Sequence, residues 1–178
     1  MFRFVRKIDN KVLHLITHLD CKFLDTLMVM ATYAGTGAFL WWITLALPFV
    51  LSNRYRRTGL TLIIALGVNY LVSEIIIKRA VGRMRPSTFL PQEVMKITKP
   101  KDHSFPSGHS SSSFCAFAVV LLCCSPVFWI PVLIGASIIA FSRLYLRVHY
   151  LSDVLVGTVL GIADGTAVVL LSRWLIRE

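Results

Sequence analysis

This chain is short of charge, and shortest of negative charge. Asp, Glu, Lys and Arg together make up only 16% of 178 residues, while hydrophobic residues make up 56%. That is too apolar for a soluble domain of this size, which excludes an ordinary cytosolic or secreted globule. Metal-ligand spacings such as CxxC or HExxH are absent, so no metal site is expected. The four cysteines, Cys21, Cys115, Cys123 and Cys124, show no framework spacing. Three of them sit in or at the end of one apolar run, where buried or lipid-facing thiols are expected. No internal repeat is present, and no low-complexity stretch apart from Ser110–Ser113. Residues 1–22 are not expected to be a cleavable leader, because Arg3, Arg6, Lys7, Lys11 and Lys22 interrupt any continuous apolar core there.

What is present is a series of long apolar runs. About 20 apolar residues cross a bilayer, and five spans emerge on that scale. They run over 24–51, 59–77, 107–124, 126–141 and 153–171, with Ser125-Pro126 as a tight turn between the third and fourth. By length the chain is one domain, an all-α polytopic membrane helix bundle over residues 23–178 preceded by a separate segment, 1–22. In that segment Phe4, Ile8, Val12, Leu15, Ile16 and Leu19 recur at helical spacing. Two readings stay open for it: an amphipathic helix lying in the membrane interface, or one packed on the membrane domain. The net charge of +10 does not point to nucleic acid, because the basic residues lie between apolar spans. There they meet lipid headgroups or a phosphate substrate. With five crossings, the N-terminal helix, the polar stretch 79–106 and the segment 142–152 share one side of the membrane.

Three motifs fall on that side: Lys78-x6-Arg85-Pro86, Pro106-Ser107-Gly108-His109 and Ser142-Arg143-x5-His149-x3-Asp153. Two guanidinium groups and an ammonium suit a phosphate dianion, Arg through bidentate pairs and Lys as a point charge. Ser107 and Gly108 read as a helix start, where free N–H groups and the helix dipole favour an anion. Gly108 there lets a ligand approach the backbone. If residues 142–153 are helical, His149 and Asp153 face the same side at i, i+4. The carboxylate then accepts from one imidazole nitrogen and leaves the other with a free lone pair. Two histidines and a carboxylate supply nucleophile, acid and orienter.

Together the motifs resemble those of the type 2 phosphatidic acid phosphatase superfamily, KxxxxxxRP, PSGH and SRxxxxxHxxxD. That superfamily includes integral membrane lipid phosphatases and soluble vanadium haloperoxidases. The resemblance covers roughly residues 24–172 and every motif position is filled. It implies that His149 attacks phosphorus to form a phosphohistidine, that Asp153 orients it, and that His109 protonates the leaving oxygen and later activates water. It implies that Lys78, Arg85, Ser107, Gly108 and Arg143 bind the phosphate, with no metal or other cofactor. The spans speak against a haloperoxidase. The expected substrate is a phospholipid or polyprenyl phosphate: undecaprenyl diphosphate, phosphatidylglycerophosphate or phosphatidic acid, with lipid A or another saccharide-lipid as the alternative. The rival from a different class is a non-catalytic transporter or scaffold, which loss of His149 or Arg143 would mark. The oligomeric state is not legible.

Further residues carry smaller expectations. Arg79 and Arg83 read as headgroup anchors, and His103 as a loop histidine. Glu74, one turn before Lys78, either pairs with that lysine or tunes it. Asp164 lies deep in the fifth span, where an acid is costly, and is expected to make a structural hydrogen bond. Gly157 and Gly161 read as close helix packing. Orientation is contested. One side holds Arg54, Arg56, Arg57, Arg173 and Arg177, and the other holds the remaining fourteen basic residues. The positive-inside rule would put the motifs in the cytoplasm, whereas the resemblance implies a cell membrane enzyme with its site on the extracytoplasmic face.

Overall fold

A computed structural model of the chain describes residues 2–175; Arg177, counted above in the charge balance, lies outside them. The described residues hold six main helices and two short helical turns, Pro86–Phe89 and Gln92–Val94, with no strand. Helix α1 spans Phe2–Thr17, α2 Lys22–Leu51, α3 Arg56–Val81, α4 Gly108–Cys123, α5 Pro126–Tyr145 and α6 Leu151–Leu175. Four of these, α2, α3, α5 and α6, are long and apolar enough to cross a membrane. The third expected span is the shorter α4. At 16 residues and 1.5 Å per residue it is only about 24 Å long. It forms the centre of the bundle, with Cys115, Ala116, Val119 and Val120 buried.

The N-terminal turns of α4 are buried, with Ser107, Ser110, Ser111 and Ser113 at 0% exposure. Its serines face inward and are satisfied by neighbours. Asn69 donates to Ser111 at 2.6 Å and Trp41 Nε1 donates to Ser113 at 3.0 Å. Asn69 also donates to Asp164 at 2.8 Å, the structural bond expected for that deep acid.

Helix α6 lies against α4 along a stripe of glycines. A Cβ on Gly157 would stand 2.6 Å from the Ser107 carbonyl oxygen, and one on Gly161 2.0 Å from that of Ser111. Gly165 continues the stripe. The close packing expected of Gly157 and Gly161 is therefore backbone against backbone. Helix α2 bends at Gly37 and Ala38, both at left-handed φ of 58° and 59°. Glycine accepts that conformation freely and alanine does not, so the bend is held by its surroundings.

One apolar core (Trp41, Phe49, Leu62, Val119, Ile139) fills the middle of the bundle. A second core gathers Ile16, Met28, Tyr145, Val148 and Val154 beneath α1 at the end where the motifs lie. Helix α1 leaves Phe4, Ile8 and Leu15 exposed while burying Asp9 and Ile16. The helical reading of 142–153 fails. Helix α5 ends at Tyr145, Arg147 takes φ of 57°, and α6 starts only at Leu151. Val148 and His149 both donate backbone N–H groups to the Arg143 carbonyl, closing a turn that the leucine- and valine-rich sequence hid.

The glycine stripe yields a stability contrast. Gly161→Ala has no room against fixed backbone and should lower stability by about 1–3 kcal/mol. Gly67→Ala meets nothing within 4 Å and should raise it by about 0.5–1 kcal/mol. Thermal unfolding in detergent checks both signs.

Candidate active site

The three motifs meet at one end of the bundle, around a cavity of about 790 Å³. Lys78, Arg85, Gly108, His109, Arg143 and His149 all line it. Each arrives by a different route. Lys78 opens the last turn of α3, just after the widened helical turns of Leu71–Ile77, a distortion common where function places side chains. Arg85 is held in extended backbone by the proline that follows. Arg143 comes from the last turn of α5, and His149 from the turn after it.

Charge in the cavity is unevenly matched. Lys78, 6% exposed, donates to Glu74 at 2.6 Å and to Asp102 at 2.9 Å. Arg85 grips both oxygens of Asp102, at 3.0 and 2.9 Å. Asp102, half exposed, is thus an anion at the cavity rim seated on two cations. Burial pushes its carboxyl up, but the bond from Lys78 and the charge of Arg85 hold it below the usual range. Arg143 has no such partner. It is 4% exposed, donates to the Thr32 hydroxyl, makes no ion pair among the described residues, and leaves its Nε without an acceptor. A buried guanidinium without a counter-ion is costly, so this one calls for an anion.

His149 is fixed from both sides. Arg85 Nη1 donates to the Nε2 lone pair at 2.8 Å, which puts the ring proton on Nδ1. Nδ1 faces Asp153 Oδ2 at 3.7 Å, too long for a direct hydrogen bond. Ser104 stands between them, donating to Asp153 Oδ2 at 2.5 Å and lying 3.5 Å from Nδ1. Burial, then the charges of Arg85, Arg143 and Lys78, pull the imidazole pKa well below its ordinary value, so the ring is neutral. The one lone pair of the neutral ring is engaged by Arg85, so Nε2 can react only where that bond opens. His109 donates from Nε2 to the Thr32 carbonyl at 3.1 Å and lines the same cavity.

Two expected site residues do not line the cavity. Ser107 is the N-cap of α4, accepting from Ser110 N–H at 3.4 Å and Ser110 hydroxyl at 2.9 Å. Its own N–H donates to the Asp153 carbonyl at 3.1 Å, tying the second motif to the third. Asp153, fully buried, lies behind His149. The space that Gly108 leaves open is filled by Glu74: a Cβ there would stand 2.1 Å from Glu74 Oε1. Glu74 does pair with Lys78, as one of its two readings held, while His103 is an exposed loop residue.

Arg83 is not a headgroup anchor. Its guanidinium turns inward to Asp153 at 2.6 Å and Asp9 at 2.7 Å, over the Tyr150 ring at 4.2 Å. Arg79 stays exposed. The sequence reading also missed Asp102, Ser104, Thr32 and Asp9. Asp102 and Ser104 lie just before the second motif in a loop too long to be idle, a usable signal. Thr32 and Asp9 come from distant helices and carry no local signal.

The PAP2 superfamily model matches residues 58–177, which hold all three motifs. The chain belongs to the PAP2 superfamily. Relatives include an undecaprenyl-diphosphatase of Sulfolobus acidocaldarius, 32% identical over 148 residues that cover 83% of this chain and 70% of that protein. Phosphatidylglycerophosphatase B of Bacillus subtilis is 30% identical over 165 residues, covering 86% of this chain and 70% of the relative. Among solved structures, a transmembrane PAP2-type phosphatidylglycerolphosphate phosphatase from Bacillus subtilis superposes with a TM-score of 0.78 at 24% identity. That match covers 95% of this chain and 86% of the other, and shows a shared PAP2 fold.

Proposed function

We propose that this PAP2 protein is an integral membrane phosphatase that hydrolyses the phosphomonoester or diphosphate of a lipid through a phosphohistidine. The observation that carries this reading is Arg143, a buried cation without a counter-ion on the wall shared by Lys78, Arg85, His109 and His149. Names of the relatives support the substrate class: polyprenyl diphosphate, phosphatidylglycerophosphate and lipid A are the lipids those proteins act on. The same cavity continues along Ala38, Trp42, Leu66 and Tyr70, an apolar wall suited to the first part of a lipid tail.

The proposed reaction runs in two displacements. Arg85 Nη1 turns from His149 Nε2 to a phosphate oxygen, and the freed lone pair forms a bond to phosphorus while the bond from phosphorus to the ester oxygen breaks. His109, which takes up a proton as the phosphate dianion offsets the neighbouring cations, gives that proton to the oxygen, and the lipid alcohol or lipid phosphate leaves. Water then attacks phosphorus, His109 takes its proton, the phosphorus–nitrogen bond breaks and inorganic phosphate departs. Lys78, Arg85 and Arg143 stabilise the charge that spreads over the equatorial oxygens. An incoming phosphate competes with Asp102 for the N–H groups of Lys78 and Arg85. Asp153 holds Nδ1–H through and beside Ser104, and the positive end of α4 contributes its dipole. Among the described residues no group of three His, Cys, Asp or Glu side chains is placed to hold a metal. The reading therefore assigns charge stabilisation to the three cations.

His149→Ala should cut turnover by about 10⁴-fold or more, and Asp153→Asn by ~10²–10⁴-fold, in protein that remains folded in detergent. Activity should survive EDTA and be blocked by vanadate, which adopts the five-coordinate geometry of the transition state. Release of phosphate from undecaprenyl diphosphate, phosphatidylglycerophosphate, phosphatidic acid and lipid A selects the substrate. Near-normal turnover in His149→Ala, or a strict Mg²⁺ requirement, contradicts the mechanism.

The site is proposed to face the extracytoplasmic side, on family resemblance and against the charge count. In a background lacking the four native cysteines, Glu93→Cys should react with a membrane-impermeant thiol reagent in intact cells. Asn53→Cys should react only after lysis. The reverse labelling pattern would put the chemistry in the cytoplasm.

A further inference from the structure

We propose that Arg83 and Asp9 are positioning residues for the reaction: the N-terminal helix, through Asp9, locks the guanidinium that locks Asp153 behind His149. The proposal rests on the phosphatase reading above. It starts from the geometry around Asp153, whose two oxygens have separate donors. Ser104 and the Tyr150 N–H hold Oδ2, at 2.5 and 2.9 Å. Arg83 Nη1 alone among the described residues holds Oδ1, at 2.6 Å. Rotation of the carboxylate is therefore set from one side by the loop and from the other by Arg83.

Arg83 is in turn set by α1. Its Nη1 also donates to the Ser152 hydroxyl at 2.7 Å, and its Nη2 donates to Asp9 Oδ2 at 2.7 Å. Asp9 does more than neutralise it. Asp9 Oδ1 accepts the Ser152 backbone N–H at 2.9 Å, and Oδ2 accepts the Ser152 hydroxyl at 2.7 Å. One side chain from α1 thus caps the first turn of α6 and fixes the residue adjoining Asp153.

The placement of Asp9 argues for a role beyond anchoring α1. It is 1% exposed, on a helix whose Phe4, Ile8 and Leu15 stand exposed. Burying a carboxylate is costly unless it is paired and hydrogen-bonded. A helix that only lay on a bilayer would keep its acid in water. Here the acid is spent on Arg83 and Ser152. The path from Asp153 to His149 is also delicate, because Nδ1 is 3.7 Å from Oδ2 and Ser104 stands between. A shift of about 1 Å in such a group can cost ~10²-fold in rate. Asn at position 9 would turn an amide N–H₂ or lose an acceptor toward Arg83, donor against donor, and release the fork.

The test uses the full chain purified in detergent, with the lipid that the substrate panel selects. Asp9→Asn should lower kcat by about tenfold and Arg83→Gln by ~100-fold, with KM within twofold of the parent protein. Arg83→Lys, which keeps the charge but loses the fork, should recover part of the loss. Asp20→Asn is the control: Asp20 lies just after α1 and pairs with Arg147 and Lys96, away from Asp153. It should leave kcat unchanged. Nuclear magnetic resonance of ¹⁵N-histidine protein, with His149 assigned by its loss in His149→Ala, reads the positioning directly. The Nδ1–H signal of His149 should shift or exchange away in Asp9→Asn and Arg83→Gln and stay in Asp20→Asn. Parental kcat in both variants, a loss confined to KM, or an unmoved His149 signal would each overturn the proposal. If the parent protein hydrolyses none of the lipids, the phosphatase reading fails, and the His149 signal still decides whether Asp9 and Arg83 position the ring.

Discussion

Everything at the motif end of this bundle is arranged around positive charge taken out of water. Lys78, Arg85 and Arg143 are buried within one cavity, and two carboxylates, Glu74 and Asp102, answer only the first two. Arg143 remains uncompensated, held by a threonine hydroxyl. Three cations cannot be gathered at the end of an apolar bundle by favourable contacts alone. The surrounding fold forces them together, and the site is left incomplete by one anion. Family membership and the proposed chemistry both converge on phosphate as that anion.

The forcing is done by backbone packing. The glycine stripe of α6 lets it lie against α4 closely enough for the Ser107 N–H to reach the Asp153 carbonyl. That single contact fixes the second motif against the third. The loop between α3 and α4 is drawn over the top by Arg85, whose guanidinium holds the Asp102 backbone and the Val148 carbonyl at 2.9 Å each. Arg85 is therefore both part of the cationic wall and the clasp of the loop. The bend of α2 at Gly37 and Ala38 lines the same cavity.

Much of this was legible in the chain, and the limits follow from physics. Apolar runs marked the helices, though α4 is too short to look like an ordinary span. Motif spacing brought Lys78, Arg85, His109, Arg143 and His149 to one cavity. The fine geometry was not legible. A helix over 142–153 fitted the spacing, yet a turn at Arg147 replaces it, and Ser104 from the loop before α4 bridges His149 and Asp153. Arg83 looked like a headgroup anchor because basic residues beyond a span usually are; only its partners in three dimensions, Asp9 and Asp153, reveal otherwise. Thr32 and Asp9 lie 111 and 143 residues from the groups they bind, Arg143 and Ser152, and local patterns cannot carry such distances.

The central claim is that His149 Nε2 takes the phosphoryl group. Rapid mixing with a ³²P-labelled lipid phosphate, followed by alkaline quenching and mass spectrometry of the digested chain, tests it most directly. The account predicts a base-stable, acid-labile phosphoryl group on His149, absent in His149→Ala. Label recovered on another residue, or turnover with no covalent label under the same quench, would contradict it.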